Sequence, residues 1–276
     1  KDATSADFAI IGVGASKSAL TPNKADSTPA AIRDALLRYS TFNATKNVDI
    51  TKLTAADFGD VVNPDDQNKT IEDLQKPLAN SRTLILLGGD NSITYSGVMA
   101  LAKKIGNISK IGLITLDAHH DVRDGISNGS PIRQLVEAKL PGNQIVQIGI
   151  SDYANSKFYA DRVSKYGIHV ISRNEFDAKN SAKYALTKLT GCEAIYLDID
   201  IDVCDRSVVP AAPAAVPGGI SANELRQIVA NLAQDKRVNT FDITEIDASI
   251  DATDGRTSRL AALCILEIAG AKCLDY

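Results

Sequence analysis

Three short runs carry most of the chemistry legible in this chain. They are Gly88-Gly89-Asp90-Asn91-Ser92, Asp117-Ala118-His119-His120-Asp121-Val122-Arg123 and Asp198-Ile199-Asp200-Ile201-Asp202-Val203-Cys204-Asp205. In an extended chain, residues two apart face the same way. That parity puts Asp117, His119 and Asp121 on one side, and Ala118, His120 and Val122 on the other. Asp198, Asp200 and Asp202 share a face by the same rule. Two neighbouring strands would then aim up to five carboxylates and one imidazole into one crevice. Like charges that close repel strongly, so protons or a bound cation must relieve them. Carboxylates with a single imidazole suit a divalent ion such as Mn²⁺, and shared carboxylates can bridge two ions. A single Asp after a strand is more often a helix cap or a loop solvator. The constellation, rather than any one member, argues for a metal centre.

Each run follows an apolar stretch, which places it at the carboxyl end of a strand. Such stretches recur at Phe8–Val13, Phe58–Val62, Thr83–Leu87, Ile111–Leu116, Gln144–Ile150, Ile168–Ile171, Ala194–Ile199 and Asn239–Ile246. Several are nearly continuous Val, Ile and Leu, the pattern of strands buried on both faces. Helical patterns separate them. Thr28-Pro29 reads as an N-cap followed by an N1 proline, Thr70 to Asp73 as a capping-box-like start, and Thr257 as the opening of the last helix. No Gly/Ser-rich linker and no internal repeat interrupts the alternation. The expectation is a single catalytic domain over residues 1–276, a three-layer α/β/α fold with a mostly parallel sheet of about eight strands. In such sheets, sites lie beyond the carboxyl ends of the strands.

Composition removes other classes. The 276 residues are 44% hydrophobic and 23% charged, which excludes a disordered chain, a collagen-like repeat and a coiled coil. The net charge of −4, from 34 acidic and 30 basic residues with no Lys/Arg-rich run, argues against a nucleic-acid partner. No apolar stretch reaches the ~20 residues of a membrane span, so no membrane partner is expected. The first seven residues hold no apolar leader core. Cys192, Cys204, Cys264 and Cys273 form no C-x-x-C pair and read as buried thiols of a reducing compartment, so the cytoplasm is expected.

Weaker signals take ordinary readings. Gly12-Val13-Gly14 lacks the third glycine of a dinucleotide loop, since Lys17 takes its place, and reads as a tight strand-to-loop turn. His120 faces away from the expected metals and reads as a core or supporting group, His169 as a strand residue. No Ser-His-Asp or Cys-His arrangement is evident among three histidines.

In this order and at these spacings, the three runs resemble the ureohydrolase family, the manganese enzymes that include arginase and agmatinase. The family pattern reads G-G-D-H-S, D-A-H-x-D and S-x-D-x-D-x-x-D-P. Its later E-x-x-P-x-x-D segment has a counterpart in Glu245-Ile-Asp-Ala-Ser-Ile-Asp251. The likeness runs from Phe8 to Ala269. It is strongest to the branch that hydrolyses N-formimidoyl-L-glutamate to L-glutamate and formamide in histidine degradation. Gly89 to Tyr95, Asp117 to Arg123, Asn128-Gly129-Ser130-Pro131 and the Pro-Ala-rich stretch 210–219 carry that likeness.

The resemblance implies an arginase-like fold, two Mn²⁺ ions per subunit and a shared water activated by them. Asp117, Asp121 and Asp200 would hold the first ion, with Asn91 where the family has a histidine. His119 and Asp202 would hold the second, with Asp117 and Asp200 bridging. Asp121 and Glu245 would be catalytic, Asp121 handling the water's proton and Glu245 pairing with the substrate's cationic end. Asp205 matches a structural carboxylate. Arg123 stands where arginase has an Asn that contacts its substrate's α-carboxylate. A guanidinium binds carboxylates as a fork, so Arg123 is expected to read a dicarboxylate amidine, with Asn128 and Arg133 as further substrate-binding candidates. The family's pattern is broken at Asn91, which makes the first metal site weaker. It is broken again at Asn128, where arginase has a proton-shuttling histidine, and at Asp198 and Arg206, which replace a Ser and a Pro. Arg206 is expected to pair with a nearby Asp. A homo-oligomer, trimer or hexamer, is implied. Two other readings stand beside this one: a sibling that hydrolyses agmatine or guanidinobutyrate and releases urea, and a metal-poor, non-catalytic member.

Overall fold

The structure, a computed structural model, describes residues 5–274. Its strands are β1 (Ala6–Val13), β2 (Phe42–Asn43), β3 (Val48–Asp49), β4 (Ala55–Asp60), β5 (Ser81–Gly88), β6 (Ile111–Leu116), β7 (Ile145–Ile150), β8 (His169–Ser172), β9 (Ala194–Asp200) and β10 (Val238–Thr244). Eight of them form one sheet in the order β4-β1-β5-β10-β9-β6-β7-β8, and every neighbouring pair is parallel. The expected parallel sheet of eight strands is therefore what forms. The central strands show why. Every residue of β6, β7 and β9 is buried, so neither face can meet water.

Helices cover both faces. They are α1 (Thr28–Leu36), α2 (Gln67–Asp73), α3 (Gln75–Ala79), α4 (Ile93–Ile105), α5 (Pro131–Glu137), α6 (Lys157–Tyr166), α7 (Ala178–Lys188), α8 (Ala222–Ala233) and α9 (Arg256–Cys273). One apolar core gathers Ile32 of α1, Ala185 of α7, Ile228 of α8 and Leu260 of α9 with sheet residues such as Ile114 and Ile199. The other gathers Leu78 of α3, Leu101 of α4, Leu135 of α5 and Val163 of α6 with Leu84, Leu113 and Tyr196. Each fully buried Leu or Ile contributes roughly 1.5–3 kcal/mol to holding these layers together. Among the described residues no helix is long and apolar enough to cross a membrane. The four cysteines are buried and free.

The helix starts differ in detail from the sequence expectation. Ser27, not Thr28, occupies the N-cap of α1, and the Thr28 hydroxyl donates to the Ile246 carbonyl at 2.5 Å instead. Helix α2 begins three residues before Thr70, capped by Asp66, which accepts from the Lys69 amide at 3.2 Å. The α9 cap is distant in sequence: the Asp251 carboxylate accepts from the amides of Thr257 (3.2 Å) and Ser258 (2.9 Å). The β4 run lies about three residues earlier than its Phe58–Val62 reading, and the β2–β3 hairpin was not expected. After β1 the chain reaches its first α-helix only at Thr28, so Gly12-Val13-Gly14 opens no dinucleotide fold.

The sheet order positions the site. After β5 the chain crosses to β6, and β9 and β10 later fill the gap between them. The carboxyl ends of β5, β10, β9 and β6 thus lie side by side, the kind of place where parallel sheets bind ligands. Parallel register aligns those ends, with Thr244 beside Asp200 and Leu116 beside Ile199.

Candidate metal centre and substrate pocket

Two aspartate turns build the site. The last ladder bond of β6 runs from the Asp117 amide to the Ile148 carbonyl at 3.1 Å. The Asp117 carboxylate then accepts from the His119 amide at 2.6 Å, and the Asp200 carboxylate accepts from the Asp202 amide at 2.9 Å. These side-chain-to-backbone turns fold each chain back on itself as it leaves the sheet. The extended parity of the sequence reading does not persist past Leu116: Asp121 sits at φ 50°, in the left-handed region. Glu245, just past β10, sits at φ 60°. Non-glycine residues rarely adopt that backbone, and both lie in this site. Convergence is reached by turns rather than by strand alternation.

The result is two groups of side chains whose ligand atoms lie within 4.8 Å of one another, Asp117-Asp121-Asp200 and Asp117-His119-Asp202. Asp117 belongs to both. Asp198, expected in the same crevice, does not. It lies within β9 opposite Asp242 of β10, fully buried, and Glu245 takes the fifth carboxylate's place in the pocket.

The electrostatics call for a cation. Burial, then the charges of Asp121 and Asp202, push the Asp117 carboxyl well above the usual range. Burial with Asp202 and Asp117 does the same to Asp200. Burial raises Asp121 and Glu245 each to about 7. Burial opposes the charge on His119, yet Asp202, with its carboxylate 2.9 Å from Nδ1, and Asp117 raise His119 to about 12. Burial works against Asp202 as well, but that ion pair holds its carboxyl below the usual value. Asp117 Oδ2 is buried without any hydrogen-bond partner. An orphaned oxygen on the aspartate that both groups share fits divalent cations with oxygen-rich ligation.

Asn91 reaches the first group from the loop after β5. Gly89 makes this possible, because a Cβ there would stand 2.0 Å from the Ala15 carbonyl oxygen. The Asn91 Nδ2 faces Asp121 Oδ2 at 2.5 Å, while its Oδ1 lies 2.7 Å from the Thr94 hydroxyl. That hydroxyl is also 2.9 Å from Asp242, which accepts from the Tyr196 hydroxyl at 2.8 Å. Turning the amide over leaves this chain satisfied: Nδ2 donates to Thr94, Thr94 donates to Asp242, and Oδ1 faces the carboxylates.

A pocket of about 370 Å³ opens above the two groups. Asn91, Asp121, Asp200, Asp202 and Glu245 line its buried end, and the half-buried His119 lies beside them. Glu245 Oε1 accepts from the Asn91 amide at 2.8 Å and from Asn128 Nδ2 at 2.9 Å, so Asn128 braces Glu245 and also lines the pocket. Arg123 stands at the exposed rim with its guanidinium carbon 5.5 Å from the centre of the Tyr159 ring. It forms no ion pair among the described residues. Its stem lies against Gly129, where a Cβ would stand 2.7 Å from Arg123 Cδ.

Two expectations are corrected here. Arg133 does not line the pocket. Its guanidinium is occupied by the Arg123 carbonyl at 2.7 Å, by Glu137 at 2.5 Å and by the Gly125 carbonyl, so it braces the loop beneath Arg123. Among the described residues Arg206 pairs with no Asp; it donates to the Ala212 carbonyl and ties down the loop whose Pro213 and Ala214 face the pocket. Asp205 caps that loop's other end, accepting from the Ser207 and Gly218 amides. Sequence reasoning missed Asn155 and Tyr159, pocket residues from the segment after β7. A lone Asn and a lone Tyr in a polar loop carry no motif. His120 is not in either metal group, as expected, but it lines the pocket. Burial holds its pKa down.

Comparison with known proteins follows the same lines. A family model described as the arginase family matches residues 6–270. A formimidoylglutamase of Halalkalibacterium halodurans is 35% identical over 97% of this chain and 88% of its own length. The crystal structure of formimidoylglutamase from Bacillus subtilis superposes with a TM-score of 0.91 at 30% identity, covering 99% of this chain and 89% of that one. A Trypanosoma cruzi formiminoglutamase structure with two Mn²⁺ gives a TM-score of 0.85 at 25% identity, covering 97% and 94%.

Proposed function

Since the chain belongs to the arginase family, hydrolases of amidino and guanidino groups, we propose that it hydrolyses N-formimidoyl-L-glutamate to L-glutamate and formamide with Mn²⁺. One observation carries the reading: a single pocket with the carboxylates of Asp121, Asp200, Asp202 and Glu245 in its lining, Asp117 grouped with them, and at its rim a guanidinium with no ion pair among the described residues. The substrate has matching ends, a cationic amidinium and two carboxylates.

Asp117, Asp121 and Asp200, with Asn91, would hold one cation; Asp117, Asp200, His119 and Asp202 would hold the other. The cation pair, when bound, lowers the pKa of water toward neutrality and so supplies the nucleophile at working pH. Ligation by Asn91 requires its amide oxygen to face the carboxylates, which the Thr94–Asp242 chain tolerates. Glu245, with one oxygen tied to Asn91 and Asn128, is held in place to pair with the amidinium. Asp121, beside the amidine carbon's approach, accepts the attacking water's proton and returns it to the departing nitrogen. Arg123 receives a carboxylate as a fork, with its guanidinium carbon over the Tyr159 ring at 5.5 Å from the centroid. Agmatine would bring a cationic tail to that same guanidinium, which disfavours the urea-releasing sibling reading. Assembly as a trimer or hexamer belongs to the same proposal, and sedimentation of the holoenzyme reads it.

The test compares kcat/KM for N-formimidoyl-L-glutamate with that for agmatine and guanidinobutyrate, following formamide, glutamate and urea. The amidine dicarboxylate should lead by at least about tenfold, the worth of one charge-assisted contact. Faster urea release from a guanidine would overturn the substrate assignment.

A further inference from the structure

We propose that His120 is a substrate-binding residue whose Nε2 stands in the pocket wall as a fixed hydrogen-bond acceptor for an N–H of the amidine. This rests on the reading of the pocket as an amidine site. The residue beside a metal-group histidine is ordinarily expected to be structural, and here the surrounding bonds argue otherwise.

The His120 Nδ1 lies 2.8 Å from Gln147 Oε1, and Gln147 Nε2 donates to the His120 carbonyl at 3.0 Å. A carbonyl can only accept, so the amide must turn its nitrogen to the backbone and its oxygen to the ring. An amide oxygen can only accept too, so Nδ1 carries the hydrogen. That fixes the tautomer: in the neutral ring, Nε2 is left with a lone pair and no hydrogen. Gln147 is in β7 and fully buried, which removes any freedom to reverse the arrangement.

The backbone is held as firmly. The His120 amide donates to Asn155 Oδ1 at 2.9 Å, and Asn155 Nδ2 donates to the Ala118 carbonyl at 2.9 Å. Two side chains thus aim one imidazole that neither metal group uses. His120 as a whole is only 5% exposed, and it lines the same pocket as Glu245 and Asp121. Its Nε2 has no protein donor among the described residues, yet it is absent from the fully buried atoms that lack partners. The pocket is therefore where it finds one. An N-substituted amidinium has three N–H donors, more than Glu245 can accept once its Oε1 is occupied by Asn91 and Asn128. A neutral, directional acceptor beside the carboxylates selects a ligand by hydrogen bonding without adding charge to an already acidic site.

The variants separate the two ring nitrogens. In His120→Asn the amide nitrogen falls near the Nδ1 position and can keep the bond to Gln147, while the pocket acceptor is lost. In His120→Gln an amide oxygen can reach the Nε2 position. With Mn²⁺-loaded enzyme, His120→Asn should raise KM for N-formimidoyl-L-glutamate about tenfold with kcat within about threefold, the pattern of a contact made in both ground and transition states. His120→Gln should recover part of the loss. Mn²⁺ per chain and Tm should match the parent. A second measurement needs no variant: N-methylation of the substituted amidine nitrogen or of the terminal one should cost the parent enzyme a similar factor at one of the two positions, and cost His120→Asn nothing further there. An unchanged KM in His120→Asn overturns the proposal, as does a fall in activity that tracks loss of Mn²⁺. Equal tolerance of both methylated substrates by the parent also overturns it. Should the parent hydrolyse only guanidines, the substrate assignment fails alone. Guanidines carry N–H groups as well, and the KM comparison is then made with the guanidine that reacts.

Discussion

At the residue scale, the proposed substrate selectivity turns on one guanidinium at the pocket rim. Arg123 is expected to carry a dicarboxylate preference because it is exposed at the rim, lies over the Tyr159 ring and is free of any acidic partner among the described residues. Arg123→Ala should raise KM for N-formimidoyl-L-glutamate ~10–100-fold, matching roughly 1.5–3 kcal/mol for a hydrogen bond to a charged group, with kcat changed far less. Steady-state kinetics at saturating Mn²⁺ checks this, and an unaltered KM removes Arg123 from the site. The proposed role of Asn91 as a metal ligand can be tested directly. An imidazole is a better ligand than an amide for this class of ion, so Asn91→His should retain more Mn²⁺ per chain after dialysis against a weak chelator. Equal retention would mean that position 91 does not ligate. The metal-group aspartates and histidine were legible because D-x-H-x-D and D-x-D-x-D are dense in donors. Their geometry was not, since strand parity knows nothing of side-chain turns. Arg133 illustrates the opposite error: charge and position suggested a substrate contact, but its fork is spent on the Arg123 and Gly125 carbonyls and on Glu137.

At the element scale, the carboxyl ends of four adjacent strands carry the site, and the helices that follow keep those ends in place. Asp251 is the clearest case. It caps α9 through the amides of Thr257 and Ser258 and the Ser258 hydroxyl, and it closes the loop that begins at Glu245. Asp251→Ala should cost about 1–2 kcal/mol, the usual worth of an N-cap, and lower Tm by about 2–4 °C for each kcal/mol. Differential scanning calorimetry reads this; an unmoved Tm would mean the cap contributes nothing. The eight strands were legible because continuous Val, Ile and Leu runs have one economical environment, a sheet covered on both faces. Helix starts were less so. Thr28, Thr70 and Thr257 all looked like caps, but the Thr70 hydroxyl serves the Pro64 carbonyl in the preceding turn, and those of Thr28 and Thr257 serve the Ile246 carbonyl and the Ala211 amide, tertiary partners that local sequence cannot reveal. The β2–β3 hairpin has only two residues per strand, too few to show alternation.

At the scale of the whole molecule, the site is a store of unfavourable charge that a cation would relieve. Folding raises the carboxyl pKa values of Asp121 and Glu245 from the usual acid range to about 7, and those of Asp117 and Asp200 well upward. A folded pKa above the unfolded one contributes stability that is present below the unfolded value and is lost as pH rises through the folded one. For Asp121 and Glu245 that window runs from about 4 to about 7. Metal-free protein should therefore become less stable as pH rises through it, while cations bind only the deprotonated ligands and stabilise the fold most at the upper end. The gap in Tm between Mn²⁺-loaded and chelator-treated protein should widen between pH 5.5 and pH 8. A gap that is the same at both values would show that these carboxylates do not hold the ion.

The central claim, a Mn²⁺-dependent amidine hydrolase acting on a dicarboxylate, is tested most directly by titrating chelator-treated protein with Mn²⁺. L-glutamate release from N-formimidoyl-L-glutamate is followed at each point, together with bound metal per chain. Activity that is absent without metal and climbs as each chain fills toward two Mn²⁺ is the expected result. Glutamate release indifferent to Mn²⁺, or a chain that binds the metal and still releases none, would contradict the account.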